Sequence, residues 1–217
     1  MAPANQTIVR TLLQEYGQTF AEELHINVAQ NTPAPLFQLL CATILFSARI
    51  NSTIAKNSMN ALRDRGWTTA DKMLNSTWDE RLEALTEGGY TRYRERTATM
   101  LGDTVEHLMS AYDGDLRKLR DQATDRADLR SHFKEFKGIG DVGVDIFFRE
   151  VQVAWEELYP FVDEKSQEAA HKLDLPTTAD ALAKLCDRDE FAKLVAALVR
   201  VDLDDAYDRI LTSSETA

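Results

Sequence analysis

Apolar residues recur at three- and four-residue steps through most of this chain, which is the spacing of amphipathic helices. The first series predicts one unbroken helix and consists of Ile8, Leu12, Leu13, Tyr16, Phe20 and Leu24. The stretch from Leu36 to Phe46 is almost wholly apolar but too short to span a bilayer, so it predicts a buried core helix. No hairpin or alternating strand pattern is found. The predicted fold class is therefore all-α.

Polar caps and glycines divide the rest of the chain into further helices. Thr77 is expected to cap a helix that stops at Gly88-Gly89, and Asp163 to cap one that runs to Leu173. Longer helices are predicted over about 92–111, 142–157 and 190–211.

Composition limits the kinds of chemistry. The 217 residues contain only two cysteines, Cys41 and Cys186, so a disulfide framework or a four-thiolate metal site is excluded by counting. The first residues show no basic stretch followed by an apolar one, and no apolar run is long enough to cross a membrane. We therefore expect a cytoplasmic protein with no membrane partner.

The net charge of −11 counts against a nucleic-acid partner, because Lys and Arg supply most of the non-specific affinity for phosphates. The charge is unevenly distributed, however. Acids are dense after residue 186, whereas bases are dense over 92–96 and 117–120. This distribution is typical of a protein with one DNA-facing side, and it equally fits an acidic solvated surface with scattered bases.

A helix-hairpin-helix turn is predicted at Gly138-Ile139-Gly140. Such a turn brings backbone N–H groups against a phosphate, where a Cβ would collide, and the helix that follows adds its N-terminal dipole. Ile139 would lie between the two helices. The alternative is an ordinary tight connection between helices, and the acids Asp141 and Asp145 just beyond the turn would repel a phosphate.

Four segments occur in the order of one known family, and the chain resembles the endonuclease III-like, helix-hairpin-helix (HhH-GPD) DNA glycosylase superfamily. Residues Leu39 to Arg49 look like the family's apolar helix that ends in Leu-Ser-Ala-Gln. Residues Gly88 to Arg94 stand at its Gly-Leu-Tyr loop, and Phe136 to Gly140 resemble its Leu-Pro-Gly-Val-Gly turn. Pro160 to Asp163 resemble the Val-Asp that presents its catalytic carboxylate.

The resemblance implies a two-lobed helical fold. A barrel of about six helices would span residues 30–149 and carry the hairpin near 130–150. Residues 1–29 and 150–217 would form the second lobe, and catalysis would take place in the cleft between the two.

The resemblance also assigns the catalytic residue, Asp163. Breaking an N-glycosidic bond builds positive charge on the sugar, which a carboxylate stabilises while it activates a water. Without the resemblance, the simpler interpretation of Asp163 is a helix N-cap, and the two roles are compatible.

Strand-cleaving members of the family carry a nucleophilic lysine two residues after the second hairpin glycine, where this chain has Val142. We therefore expect a monofunctional glycosylase that uses water and has little or no lyase activity. Lys165 as a displaced nucleophile is the minor alternative.

Many relatives also bind a [4Fe–4S] cluster through four cysteines after the catalytic Asp. Only Cys186 follows Asp163, so we expect no cofactor and no metal.

DNA contacts follow from the same resemblance. A glycosylase flips its target nucleotide out of the duplex and fills the gap with a side chain. Arg49 stands at the inserting position and Tyr90 at the loop opposite, although each would also suit an ordinary surface or packing role. The residues expected to contact DNA are Arg49, Tyr90, Arg92, Arg94, Lys137, Gly138, Ile139 and Gly140.

The expected function is hydrolytic removal of a damaged or mismatched base from double-stranded DNA by a monomeric, nucleoid-associated protein. One alternative is a catalytically inactive helix-hairpin-helix module that binds DNA or a protein. Another is a helical scaffold unrelated to DNA.

Overall fold

The structure is a computed structural model that describes residues 3–48 and 50–215. Within those residues it is helical, with no β-strand. None of the described helices is long and apolar enough to cross a membrane. The α-helices are α1 (Pro3–Tyr16), α2 (Phe20–Glu23), α3 (Pro33–Ser47), α4 (Ser52–Asp64), α5 (Ala70–Leu74), α6 (Trp78–Glu87), α7 (Arg94–Tyr112), α8 (Leu116–Gln122), α9 (Arg126–Phe133), α10 (Asp141–Val151), α11 (Glu164–Lys172), α12 (Ala179–Leu182), α13 (Phe191–Asp204) and α14 (Tyr207–Glu215). Short 3₁₀ turns lie at Val28–Gln30, Glu156–Leu158 and Arg188–Glu190.

The chain divides into two compact units, Leu24–Phe147 and the pair of segments Met1–Glu23 and Phe148–Ala217. The boundary falls inside α10, between Phe147 and Phe148. Burial of apolar side chains drives the packing of each unit.

Helix α3 forms the centre of the Leu24–Phe147 unit. Ten of its fifteen residues are buried, as the unbroken apolar run predicts, and it contacts α4, α7 and α8. Helix α6 packs between α4 and α7, and Gly88 at its end approaches α4 so closely that a Cβ would lie 2.4 Å from the Ser58 Cα. Thr77 caps the start of α6 as predicted, and Glu80 completes a reciprocal capping box with it.

The second unit is built around α13, which packs against α1 and α11. Its core consists of side chains from these helices and from α12 and α14, with Leu12, Leu173, Phe191 and Leu194 fully buried. Asp163 caps α11 as predicted, and this helix ends at Lys172 with Leu173 as its C-cap.

The prediction of one unbroken helix from Ile8 to Leu24 is wrong. Helix α1 ends at Tyr16, and α2 begins at Phe20. Thr19 and Glu22 cap the start of α2 reciprocally, each side-chain oxygen accepting a hydrogen bond from the other's backbone N–H at 3.1 and 2.9 Å. A side chain at Gly17 would collide with the Leu13 carbonyl oxygen. Local capping therefore overrides the apolar periodicity.

Two later helices are also shorter than the spacing predicts. Helix α10 ends at Val151 rather than near 157, and the Ala154 N–H bonds the Val151 carbonyl, only three residues earlier, at 2.8 Å. The predicted helix over 190–211 is two helices, interrupted at Asp205 in the left-handed conformation with φ +48°.

Candidate functional site

The predicted hairpin lies between α9 and α10. Gly138 has φ +91°, and a Cβ on it would lie 2.7 Å from the terminal methyl of Met100 in α7. Ile139 is buried and packs against Gly143, where an added Cβ would lie only 3.1 Å from the Ile139 Cγ2. Gly140 faces open space, and its carbonyl accepts the first hydrogen bond of α10 from Val144 at 3.0 Å. The turn thus has the backbone and the apolar contact that the sequence predicts.

The two hairpin glycines differ in what they tolerate. We expect Gly138→Ala to lower the free energy of unfolding by about 2–3 kcal/mol, because the left-handed backbone is strained by a side chain and Met100 must move. Gly140→Ala should cost less than about 1 kcal/mol, since nothing lies within 4 Å of its Cβ. Urea unfolding of both variants measures the difference, and equal losses would contradict the geometry described for Gly138.

The acids that follow the hairpin are paired with cations from the C-terminal end of α9. Asp141 pairs with Lys134, and this hydrogen bond lowers the pKa of its carboxyl. Asp145 pairs with Arg130. Lys137, which the sequence assigns to DNA, is paired with Asp103 of α7, 2.9 Å from Nζ to Oδ2. The turn is therefore close to electrically neutral, which reduces both the expected repulsion of a phosphate and the expected attraction by Lys137.

The loop between α6 and α7 gives its two tyrosines opposite roles. The Tyr90 ring is fully buried, and burial raises the pKa of its hydroxyl. A side chain with no exposed surface is not available to DNA in this conformation, so Tyr90 anchors the loop. The exposed ring is that of Tyr93, 48 % accessible and in the left-handed conformation with φ +62°. Arg92 lies over this ring, its Cζ 4.9 Å from the centroid, and Arg94 begins α7.

Asp163 is almost completely buried, with 7 % of its surface exposed. Its Oδ1 accepts a hydrogen bond from the Ser166 backbone N–H at 2.9 Å, and the Ser166 hydroxyl accepts one from the Asp163 N–H at 3.0 Å. This reciprocal cap fixes the orientation of the carboxylate at the N-terminus of α11.

Arg149 occupies the other carboxylate oxygen. Its Nη1 donates to Asp163 Oδ2, and both side chains are only 5 % exposed. The Nε of Arg149 is buried and lacks a hydrogen-bond partner among the described residues. Both oxygens of Asp163 are thus engaged, and its negative charge faces a guanidinium inside the unit.

Neighbouring buried polar groups hold this pair in place. Gln152 bridges α10 to the connector that leads to Asp163, accepting from the Phe161 N–H at 3.0 Å and donating to the Phe161 carbonyl at 3.1 Å. Glu150 accepts hydrogen bonds from the backbone N–H groups of Phe20 and Ala21 at 3.4 and 2.8 Å. Burial raises the pKa of the Glu150 carboxyl, although these hydrogen bonds and Arg149 oppose the shift.

Neither position 142 nor position 165 provides a free lysine amine that could act as the nucleophile. Val142 is 65 % exposed at the start of α10 and has no nucleophilic atom. The Lys165 Nζ lies 2.8 Å from Asp202 Oδ2 in an ion pair. Burial opposes ionisation of Asp202, but hydrogen bonds from Lys165, Tyr207 and Lys172 outweigh it and lower the pKa of the carboxyl to about 2. Lys165 is therefore committed to a structural contact.

No cluster of three or more His, Cys, Asp or Glu side chains with the geometry of a metal site occurs in the described part of the chain. Cys41 is buried in α3, and Cys186 alone follows Asp163, so the residues present do not fit a four-cysteine iron–sulfur cluster. Arg49, the predicted inserting residue, lies outside the described residues.

Sequence reasoning missed Arg149 and Ser166 as site residues, and it chose Tyr90 rather than Tyr93 from the aromatic and basic cluster over residues 90–96. A charged Arg149-Glu150 pair inside the apolar run of α10 is a usable signal, because charges in a buried run need partners. Ser166 stands three residues after the predicted cap, the position of a reciprocal capping partner. The left-handed backbone of Tyr93 has no such signal in the sequence.

Comparison with known proteins gives one informative likeness. No protein-family model matches the chain, and no curated protein matches it. A solved structure of endonuclease III, trapped as a covalent intermediate with DNA in an estranged-adenine complex, superimposes with a TM-score of 0.51. The alignment covers 76 % of this chain and 73 % of that one at 16 % identity. This likeness shows that the chain has an all-α fold similar to that of endonuclease III, as the sequence predicts.

Proposed function

We propose that this protein binds double-stranded DNA and removes a damaged or mismatched base by hydrolysis, with Asp163 as the catalytic carboxylate. The observation that carries the proposal is the placement of Asp163, a buried carboxylate fixed as the N-cap of α11, in a fold similar to that of a DNA-bound endonuclease III. The hairpin turn supports it, because no atom lies within 4 Å of the place that a Cβ would take at Gly140, which leaves the backbone just before α10 open to a ligand.

The proposed reaction breaks the bond between C1′ of the sugar and the base nitrogen, and the base leaves with the bonding electrons. The developing oxocarbenium ion is stabilised by the carboxylate of Asp163. A water then adds to C1′ and gives a proton to that carboxylate, from which it passes to solvent or to the departing base. The cap to Ser166 keeps the carboxylate in one orientation, which lowers the cost of reorganisation during the reaction.

Water is the proposed nucleophile because Val142 stands where a lysine would attack and Lys165 is paired with Asp202. An abasic strand should therefore remain intact until alkali is added. The test incubates the protein with lesion-bearing duplexes and analyses the strands with and without hot alkali. Strand breaks that appear only after alkali are expected. Breaks without alkali, together with covalent capture by borohydride, would contradict the hydrolytic mechanism.

Engagement of both Asp163 oxygens favours a second candidate function, DNA binding without chemistry. The Arg149 guanidinium offsets the negative charge that the oxocarbenium ion requires, and the carboxylate is nearly inaccessible. Duplex binding that weakens with salt, without base release from any duplex, identifies this second function.

A further inference from the structure

Residues 92–96 of the Leu24–Phe147 unit contain three arginines and one acid, Glu95, in a chain whose net charge is −11. Arg92, Arg94 and Arg96 alternate along the loop before α7 and its first turn, with Arg92 and Arg96 exposed and Arg94 partly so. Among the described residues none of the three has an ion-pair or hydrogen-bond partner; the contact of Arg92 is with the Tyr93 ring. We infer that residues 92–96 are the phosphate-binding surface of this protein and supply most of its charge-dependent affinity for a DNA backbone.

The hairpin lacks the free charge for that role. Lys134 and Lys137 are paired with Asp141 and Asp103, and Arg130 is paired with Asp145. When a phosphate binds one of these cations, the carboxylate paired with that cation is either displaced or left beside the phosphate. Both outcomes make the free energy of phosphate binding less favourable. Arg92, Arg94 and Arg96 need no such exchange.

Tyr93 orients one of the three arginines. Its ring stacks beneath the Arg92 guanidinium at 4.9 Å, which leaves the N–H donors at the edge of the group free to meet phosphate oxygens. The left-handed backbone of Tyr93 places the ring at the surface at a conformational cost that a glycine would not carry. A strained, exposed aromatic residue between two unpaired arginines indicates a contact with a ligand rather than a packing role.

Helix α7 joins this surface to the hairpin. Gly138 lies against Met100, and the Thr104 hydroxyl donates to the Lys137 carbonyl at 3.5 Å, so the turn rests on the middle of α7. Arg96 is four residues before Met100, about 6 Å along the helix axis. Arg94 and Arg96 therefore lie on the same helix that supports the glycine turn, so one phosphate backbone can contact both the arginines and the turn.

The inference deepens the proposed function and rests on it only for the choice of ligand, double-stranded DNA. Its test is the salt dependence of binding to a short fluorescent duplex, measured by anisotropy for the full chain. The variant Arg92→Gln/Arg94→Gln/Arg96→Gln should lower the slope of log affinity against log salt by about 2–3 and weaken binding at low salt on the order of 10- to 100-fold. An unchanged slope would overturn the inference.

A matched control removes the same amount of charge from paired surface cations. The variant Lys118→Gln/Arg188→Gln/Lys193→Gln takes cations from ion pairs with Asp113, Glu156 and Glu22. It should keep the native slope, and a loss equal to that of the arginine variant would overturn the inference, because net charge alone would then explain both.

Tyr93→Gly should unfold at the native or a higher denaturant concentration yet bind several-fold more weakly. If this variant bound the duplex as tightly as the native protein, the Tyr93 ring would have no part in orienting Arg92 for binding.

Base release measured on the same variants separates the two proposals. If the arginine variant loses binding and no variant or native protein releases a base, the inference holds and the proposed excision fails. If native protein releases a base and the arginine variant binds like native, excision holds and the inference fails. If native protein does not bind the duplex at all, both fail.

Discussion

Replacing Arg149 by methionine is expected to lower the free energy of unfolding by about 3–5 kcal/mol, the usual cost of leaving one member of a buried ion pair unpartnered. The side chains of Arg149 and Asp163 are each 5 % exposed, so water does not compensate for the lost partner. Methionine has a similar length and keeps most of the apolar packing, which leaves charge as the main change. Urea unfolding at neutral pH measures the loss.

The control for this prediction is the double variant Arg149→Met/Asp163→Asn. It has no unpaired charge in the pair, and asparagine caps a helix about as well as aspartate. We expect the double variant to recover more than half of the stability lost by Arg149→Met, which a double-mutant cycle reports as coupling between the two sites. A single variant within about 1 kcal/mol of native would contradict a buried ion pair here.

Replacing Asp163 by asparagine should reduce the rate of base release at least 100-fold, the typical effect of losing one preorganised electrostatic contact at a reacting centre. The single oxygen of asparagine can keep the cap of α11, but its NH2 group then faces Arg149 and leaves that buried guanidinium without a counter-charge. The variant should therefore be less stable than native, and urea unfolding establishes that it is folded under the assay conditions. Single-turnover assays on a substrate duplex measure the rate, and anisotropy should show that DNA affinity stays within about twofold of native, since the phosphate contacts of residues 92–96 are untouched.

Asp202→Asn is the matched control for Asp163→Asn. Asp202 is a carboxylate of the same unit, paired with Lys165 and Lys172, and it has no proposed part in the reaction. This variant should retain base release. If it loses as much activity as Asp163→Asn, the loss reflects disturbance of the unit rather than a missing catalytic carboxylate.

The features predicted correctly from the sequence depend on local chemistry. Thr77 and Asp163 cap helices because their side chains reach a backbone N–H three residues on, and the apolar run in α3 is buried because no charge interrupts it. Gly138 occupies a turn that requires a positive φ. Each of these conclusions needs only a few neighbouring residues.

Two of the features that were missed depend on contacts between residues that are not neighbours in the sequence. Helix α2 is separate from α1 partly because Glu150, 129 residues beyond Ala21, accepts hydrogen bonds from its first N–H groups. Arg149 reaches Asp163 only because the chain turns back at Gln152. Apolar periodicity contains no information about such pairs. The helices predicted from it were therefore too long, and the pairing of Asp163 with Arg149 was not predicted.

In the loop before α7, sequence spacing did not identify which of the two tyrosines is exposed. Spacing within the resemblance assigns a DNA contact to Tyr90, whereas the structure buries that ring and exposes Tyr93 three residues later. The sequence shows aromatic and basic residues interleaved there, but the choice between the two rings depends on the left-handed backbone at Tyr93.

Base release by the native protein, under single-turnover conditions on a panel of duplexes, tests the central claim most directly. The panel contains oxidised pyrimidines, uracil, alkylated purines and mismatched adenine, and binding to each duplex is measured in the same solution. We expect release of a free base from at least one duplex, with the strand intact until alkali is added. Tight, salt-dependent binding across the panel without release of any base would contradict it and identify a DNA-binding protein without chemistry.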